Sequence, residues 1–214
     1  MQIRISTNFP DVARQLETLR KDIGDKAVAS ALNKTMAIAK TAMSREIREE
    51  FSLNTQEVNS SLVVKRASAG RKAFSLEATL EPKSSRGRSL NLIRFVEKSV
   101  SFAQARKRVK AGEGGTYKLR NGVVVQKTLE LRFKIKKNGA PVMVKGAFIA
   151  NDGRTVFIQE GKSRLPIRAL QTIDVAQMFN TKRINAKVVQ LIEERFPGIF
   201  ANDVKFFTAK FGRV

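Results

Sequence analysis

The hydrophobic period of this chain changes twice along its 214 residues, and that switch constrains the fold more than any motif. Apolar residues recur at helical spacing up to about residue 61, and at every second position from about 62 to 170. Helical spacing then returns from about 174 to 211. Helices, then strands, then helices predict an α+β fold. The expected architecture is a mostly antiparallel β-sheet flanked by N-terminal helices, one of them long and Ala-rich, and by C-terminal helices. The length fits a single domain over 1–214, with a helical part at about 10–61, a β part at about 62–170 and C-terminal helices at about 174–211.

Local signals sharpen this outline. After a short extended stretch, Pro10-Asp11 opens a helix through about Ile23, with Val12, Leu16, Leu19 and Ile23 on one stripe. Gly24-Asp25 is expected to break it. A second helix then runs from Lys26 to about Phe51, carrying Ala27, Ala29, Ala31, Ala37, Ala39 and Ala42 beside a larger stripe of Val28, Leu32, Met36, Met43 and Ile47. Asn54 with Glu57 three residues on has the form of a capping box for a short third helix. In "LELRFKIKK" the alternation places Leu129, Leu131, Phe133 and Ile135 on one face and Glu130, Arg132, Lys134 and Lys136 on the other. Asn138-Gly139 and Asp152-Gly153 are turn signals that make Val156–Gln159 the second arm of a hairpin. Near the C-terminus a helix lined by Ile184, Val188, Leu191 and Ile192 is expected to stop at Phe196, before Pro197-Gly198. A last helix carries Phe200, Val204, Phe207 and Phe211.

Composition removes most catalytic chemistry. Without histidine or cysteine the chain has no thiolate nucleophile, no disulfide and no imidazole base. Glu49-Glu50 and Glu193-Glu194 point to different helix faces and do not converge on a substrate. "VFIQEGKS" (156–163) ends like a phosphate-binding loop, but Val156 stands where the first glycine must be, and Arg164-Leu165-Pro166 follows where a helix should start. The stretch therefore reads as a strand and its exit turn. No enzyme activity, metal or cofactor is expected. No apolar run is long enough to span a bilayer, so no membrane partner is expected either.

Charge points to a polyanionic neighbour. The 41 basic and 19 acidic residues give +22, and twelve of the basic ones lie between 102 and 145 against two acids. Within this region a basic loop at about 102–121 presents Arg106, Lys107, Arg108, Lys110, Lys118 and Arg120 for contact with DNA or with an acidic protein face. Phe102 and Tyr117 are its only aromatics, too few for a base-stacking platform. The C-terminal "FPGIFANDVKFFTAKF" holds five phenylalanines in sixteen residues, more than one helix face buries. Phe206, off the stripe, with Phe207 and Phe211, is a candidate subunit contact. Docking of that helix on the domain's own core is the alternative.

Residues 146–167, "GAFIANDGRTVFIQEGKSRLPI", resemble the bacteriophage minor tail protein Z family, the tail-completion proteins of lambda-like phages. The resemblance rests on Gly146-Ala147-Phe148-Ile149, then Gly153-Arg154, then Gly161-Lys162, Arg164 and Pro166-Ile167. It implies Gly146 and Gly153 serving backbone geometry, Phe148 and Phe157 serving packing, and Lys162 and Arg164 serving a surface contact. It further implies a structural virion protein at the head-proximal end, or neck, of a tail, assembled in the host cytoplasm. Such a protein completes the tail, helps join head to tail and holds the DNA end. The implied partners are further copies in a ring, six by tail-tube symmetry, together with tail tube or terminator proteins, the head connector and the end of the genomic DNA. A tail terminator or sheath-joining protein of a contractile phage, and a non-specific DNA-binding protein, are the alternative readings.

Overall fold

Six alanines and an unbroken apolar stripe make residues 21–50 the longest helix-forming run of the N-terminal half, and the computed structural model bears this out. The structure describes residues 2–5, 21–70, 74–83, 89–96, 117–120, 123–126, 131–144, 146–150, 154–161 and 165–211. It is an α+β fold in two units, one comprising 1–49, 54–86 and 175–214, the other 50–53 and 87–174.

The first unit contains β1 (Ile3–Ile5), α1 (Lys21–Glu50), α2 (Thr55–Ser60), β2 (Leu62–Lys65), β3 (Ser68–Ala69), β4 (Phe74–Ser75), β5 (Ala78–Pro82), α3 (Val175–Phe179) and α4 (Lys182–Phe211). Helix α1 runs through Gly24-Asp25, where a break was expected. Gly24 is buried and aligns with buried Ala27 and Ala31, so the stripe that packs outweighs the roughly 1 kcal/mol glycine penalty. The expected helix from residue 10 falls largely outside the described residues. Asn54 caps α2, its side chain accepting from the Glu57 N–H at 2.8 Å.

Helix α4 is likewise continuous through Pro197-Gly198, where an interruption was expected. Pro197 cannot donate to the carbonyl of residue 193, but it is exposed, while Phe196 and Phe200 on either side are fully buried. Burying two phenylalanines contributes about 3–6 kcal/mol, enough to carry the helix across. Helices α1 and α4 run antiparallel, as Lys34 pairs with Asp203 and Lys187 with Glu46. In the same unit β1, β5 and β2 form an antiparallel sheet in which central β5 buries Ala78, Thr79 and Leu80, and α3 packs against it. The Asn33 amide pins the chain beyond β2, exchanging two 2.9 Å hydrogen bonds with the backbone of Ala67.

The second unit contains β6 (Leu90–Asn91), a 3-10 turn (Leu92–Phe95), β7 (Tyr117–Arg120), β8 (Val123–Gln126), β9 (Arg132–Phe133), β10 (Val142–Met143), β11 (Ala147–Ala150), β12 (Thr155–Gln159), β13 (Ile167–Ala169) and β14 (Gln171–Thr172). Among the described residues all strand pairs are antiparallel, but they divide among several small sheets, and only one of these in this unit has three strands, ordered β11-β12-β13. The core holds Phe51, Leu53, Leu92, Phe95, Leu131, Phe133, Ala147 and Val156. Leu131 and Phe133 are buried as the alternation required, while Leu129 and Glu130 lie outside the described residues. The turn at Asn138-Gly139 forms, closed by Gly139 N–H donating to the Lys136 carbonyl at 3.1 Å, and β9 and β10 are its two arms.

Candidate assembly surfaces

Strand parity decides what the three-stranded sheet shows to solvent. Ala147 and Val156 are buried on the inner face, at 6% and 0% exposure. Phe148 and Phe157 pair across β11 and β12 with ring centroids 6.0 Å apart, and the same row continues to Ala169. Because successive residues alternate, Phe148, Phe157 and Ile167 fall on the outer face. Phe148 is 38% exposed, Ile167 is exposed and Phe157 is half-buried. Phe148 and Phe157 thus pack on each other and build an outward apolar face, while Ala147 and Val156 face the core. The hydrophobic run hid this, since period-2 parity alone does not say which face is inside.

Two glycines set the ends of this sheet. Gly146, at φ +79°, turns the chain into β11, and Gly161, at φ +93°, turns it out of β12. Beyond the turn, Glu160 N–H donates to the Pro166 carbonyl at 3.0 Å, and the Leu165–Pro166 peptide is cis. Val156–Gln159 is thus the second arm of a hairpin, and the residues after it connect to β13, as the sequence indicated. Arg168 pairs with Glu160 at 2.6 Å, and Arg154 is exposed at the start of β12. Gly153, Lys162 and Arg164 lie outside the described residues.

Asn91, which carries no sequence signal, positions β12. Its side-chain oxygen accepts from Ile93 N–H at 3.0 Å, capping the 3-10 turn, and from Val156 N–H at 2.9 Å. Its amide nitrogen donates to the Val156 carbonyl at 3.4 Å, which also accepts from Leu170 N–H at 2.9 Å. Both backbone groups of Val156 are therefore engaged on the side away from β11.

The first unit carries a second apolar surface at the end of α4. Phe206 is 56% exposed and meets Phe207 edge-on at 5.3 Å, and Phe207 stacks on Phe211 at 6.0 Å. Lys26 lies 4.6 Å above the Phe211 ring, and Lys210 lies 5.5 Å from Phe211 and 5.7 Å from Phe206. Such cation–π contacts contribute about 0.5–1 kcal/mol each at exposed sites. Phe200, one and a half turns back, is fully buried, so the helix docks on its own core and leaves its last turns outside it.

Of the basic loop, Arg106, Lys107, Arg108 and Lys110 lie outside the described residues. Lys118 and Arg120 belong to β7, in register with Val125 and Val123 of β8, so the expected loop ends in a hairpin. Asn121-Gly122 between "YKLR" and "VVVQ" was the sequence signal for it. Among the described residues no group of His, Cys, Asp or Glu gathers where a metal ion could be held, and no helix is long and apolar enough to cross a membrane. The surfaces present exposed apolar side chains and cations.

A profile of the family described as prophage minor tail protein Z (GPZ) matches residues 10–208. The chain belongs to the prophage minor tail protein Z family. Membership makes it a structural component of a phage tail and hence of the virion, in a family not known for enzyme activity. The match spans both units of the fold, far beyond the 146–167 segment that carries the sequence resemblance. Neither a curated protein nor a solved structure matches this chain.

Proposed function

We propose that this family member acts at the head-proximal end of the tail, where it completes the tail, helps join it to the head and holds the end of the genomic DNA. The family match over residues 10–208 carries the tail assignment. The concentration of positive charge between 102 and 145 supports a place beside a polyanion, which the neck supplies as DNA. Copies would close into a ring of six to match the tail tube, through heterologous contacts made at Phe206, Phe207 and Phe211. Its other neighbours would be the tail tube or terminator and the head connector.

Tagged protein incubated with purified tails lacking it tests this reading, with the label located by electron microscopy. Label at the head-proximal end is expected. Label elsewhere, or full infectivity of phage lacking the protein, would sink the reading. Tight, salt-sensitive binding to bare DNA without any binding to tails would instead favour a general DNA-binding protein.

A further inference from the structure

We infer that the β11–β13 sheet is the docking site for an extended, acidic segment of another tail protein, which adds as a fourth strand along the outer edge of β11. The inference rests on the tail reading above and names the partner that reading leaves open.

The edge is open by hydrogen-bond parity. Val156 stands opposite Ile149 in the ladder, yet its N–H goes to Asn91 and its carbonyl to Leu170. Ile149 therefore turns its own N–H and C=O the other way, toward the outer edge of β11. Ala147 agrees, since its N–H leaves the sheet to reach the Val144 carbonyl at 3.2 Å. Among the described residues no strand lies along that edge. Soluble proteins commonly guard such an edge with charge or proline, but β11 reads Ala-Phe-Ile-Ala. An added strand would satisfy the Ile149 groups and lay alternate side chains on the face of Phe148, Phe157 and Ile167.

The chemistry of the surface selects the occupant. A phosphodiester backbone cannot dry an isoleucine-bearing face, so nucleic acid leaves its apolar part exposed. A second copy would bring like charge, for the described residues between 131 and 170 include Arg132, Lys134, Lys136, Lys137, Arg154 and Arg168 against Glu160 alone. A strand with apolar residues on one side and Asp or Glu on the other meets both demands.

The test uses the full-length chain and purified tails lacking it. p-Benzoylphenylalanine in place of Phe148 is expected to cross-link to an Asp- or Glu-rich segment of another tail protein, read by mass spectrometry. Ile149→Pro removes an outward-facing donor as well as the half-buried Ile149 side chain of the inner face. Measured against Ile149→Ala, which loses the side chain alone, it should weaken tail binding about tenfold or more with the melting transition retained. Phe148→Glu should weaken binding more than Phe148→Lys, because only the former opposes an acidic partner. Cross-links to a second copy or to DNA, no cross-link at all in tail-bound protein, or unchanged binding by folded Ile149→Pro overturns the inference and leaves the tail role standing. Failure of the wild-type chain to bind tails removes the tail role itself, and the inference with it.

Discussion

Replacing Asn91 with alanine withdraws three hydrogen bonds, and the structure says which of them is costly. The Val156 carbonyl keeps its bond from Leu170 N–H at 2.9 Å, so losing the 3.4 Å amide contact leaves it satisfied. The Val156 N–H has no such reserve, and the residue is fully buried. A buried donor left without a partner costs about 1–3 kcal/mol, and losing the cap on Ile93 adds about 0.5–1 kcal/mol. Asn91→Ala should therefore lower stability by about 1.5–4 kcal/mol. Asn91→Ser separates the two parts: serine still caps the 3-10 turn but is too short to reach Val156, so it should recover only the smaller share. Urea denaturation gives the totals, and hydrogen exchange at the Val156 amide gives the cause. That amide should lose protection in both variants, while Leu170 N–H keeps it. If Val156 stays protected in Asn91→Ala, its N–H has another acceptor, either the Leu170 carbonyl across from it or the Ile149 carbonyl. Retained protection that survives loss of the Leu170 contact would point to Ile149, and the outer edge of β11 would then not be open as described.

Further consequences can be measured alongside it. Lys34→Met should cost about 2 kcal/mol, because it strands Asp203, whose side chain is only 4% exposed, whereas Lys34→Met with Asp203→Leu should come back near wild type in thermal or urea unfolding. Gly146→Ala and Gly161→Ala should each cost about 1–2 kcal/mol, since both glycines have positive φ although neither has neighbours to crowd a Cβ. Gly139→Ala, with Lys136 atoms at 3.4 Å from the new Cβ, should cost less than either, and a reversed order would deny the backbone explanation. Phe206→Ser should leave stability within about 0.5 kcal/mol, because that ring is mostly in water, while abolishing ring assembly seen by sedimentation if the C-terminal turns join subunits.

Much of the fold was legible because burial imposes a period. The stripe Val28–Ile47, the alternation of Leu131 and Phe133, the Asn54 cap and the hairpin turn at Asn138-Gly139 follow from spacing and turn chemistry, and all appear as read. The two helix breaks failed for one reason: a local penalty of about 1 kcal/mol at Gly24 and about 3 kcal/mol at Pro197 is outweighed by the apolar side chains buried around it, a sum that no dipeptide rule contains. The site was less legible. "GAFIANDGRTVFIQEGKS" shows its strands and turns, but an alternating apolar strand has two candidate inner faces, and only the packing of Ala147 and Val156 chose between them. Asn91 was invisible because it acts across 65 residues of sequence on a backbone group, and such a tie leaves no periodic trace.

Charge and exposed apolar surface are parts of one device. Of the large hydrophobic residues that stand exposed, Val142, Met143, Phe148, Leu165 and Ile167 fall within one stretch of the second unit, and Phe206 and Phe211 at the end of α4. Patches of this kind promote aggregation in a free protein. Here each is bordered by cations, with Arg132, Arg154 and Arg168 near the first in sequence and Lys205, Lys210 and Lys26 beside the second. Repulsion between chains of +22 opposes the meeting of like patches. Salt should then act with opposite signs on the two kinds of association. Raising it from about 0.15 M to 1 M shortens the screening length from about 8 Å to 3 Å, which removes the repulsion and leaves apolar attraction intact. The free protein should self-associate more at high salt, by sedimentation, while its binding to tails weakens. Phe148→Ser combined with Phe206→Ser should abolish the first effect and leave the salt dependence of residual tail binding in place. Should self-association fall as salt rises, ion pairs between copies must hold them together. The cations would then be subunit contacts, not a shield around the apolar patches.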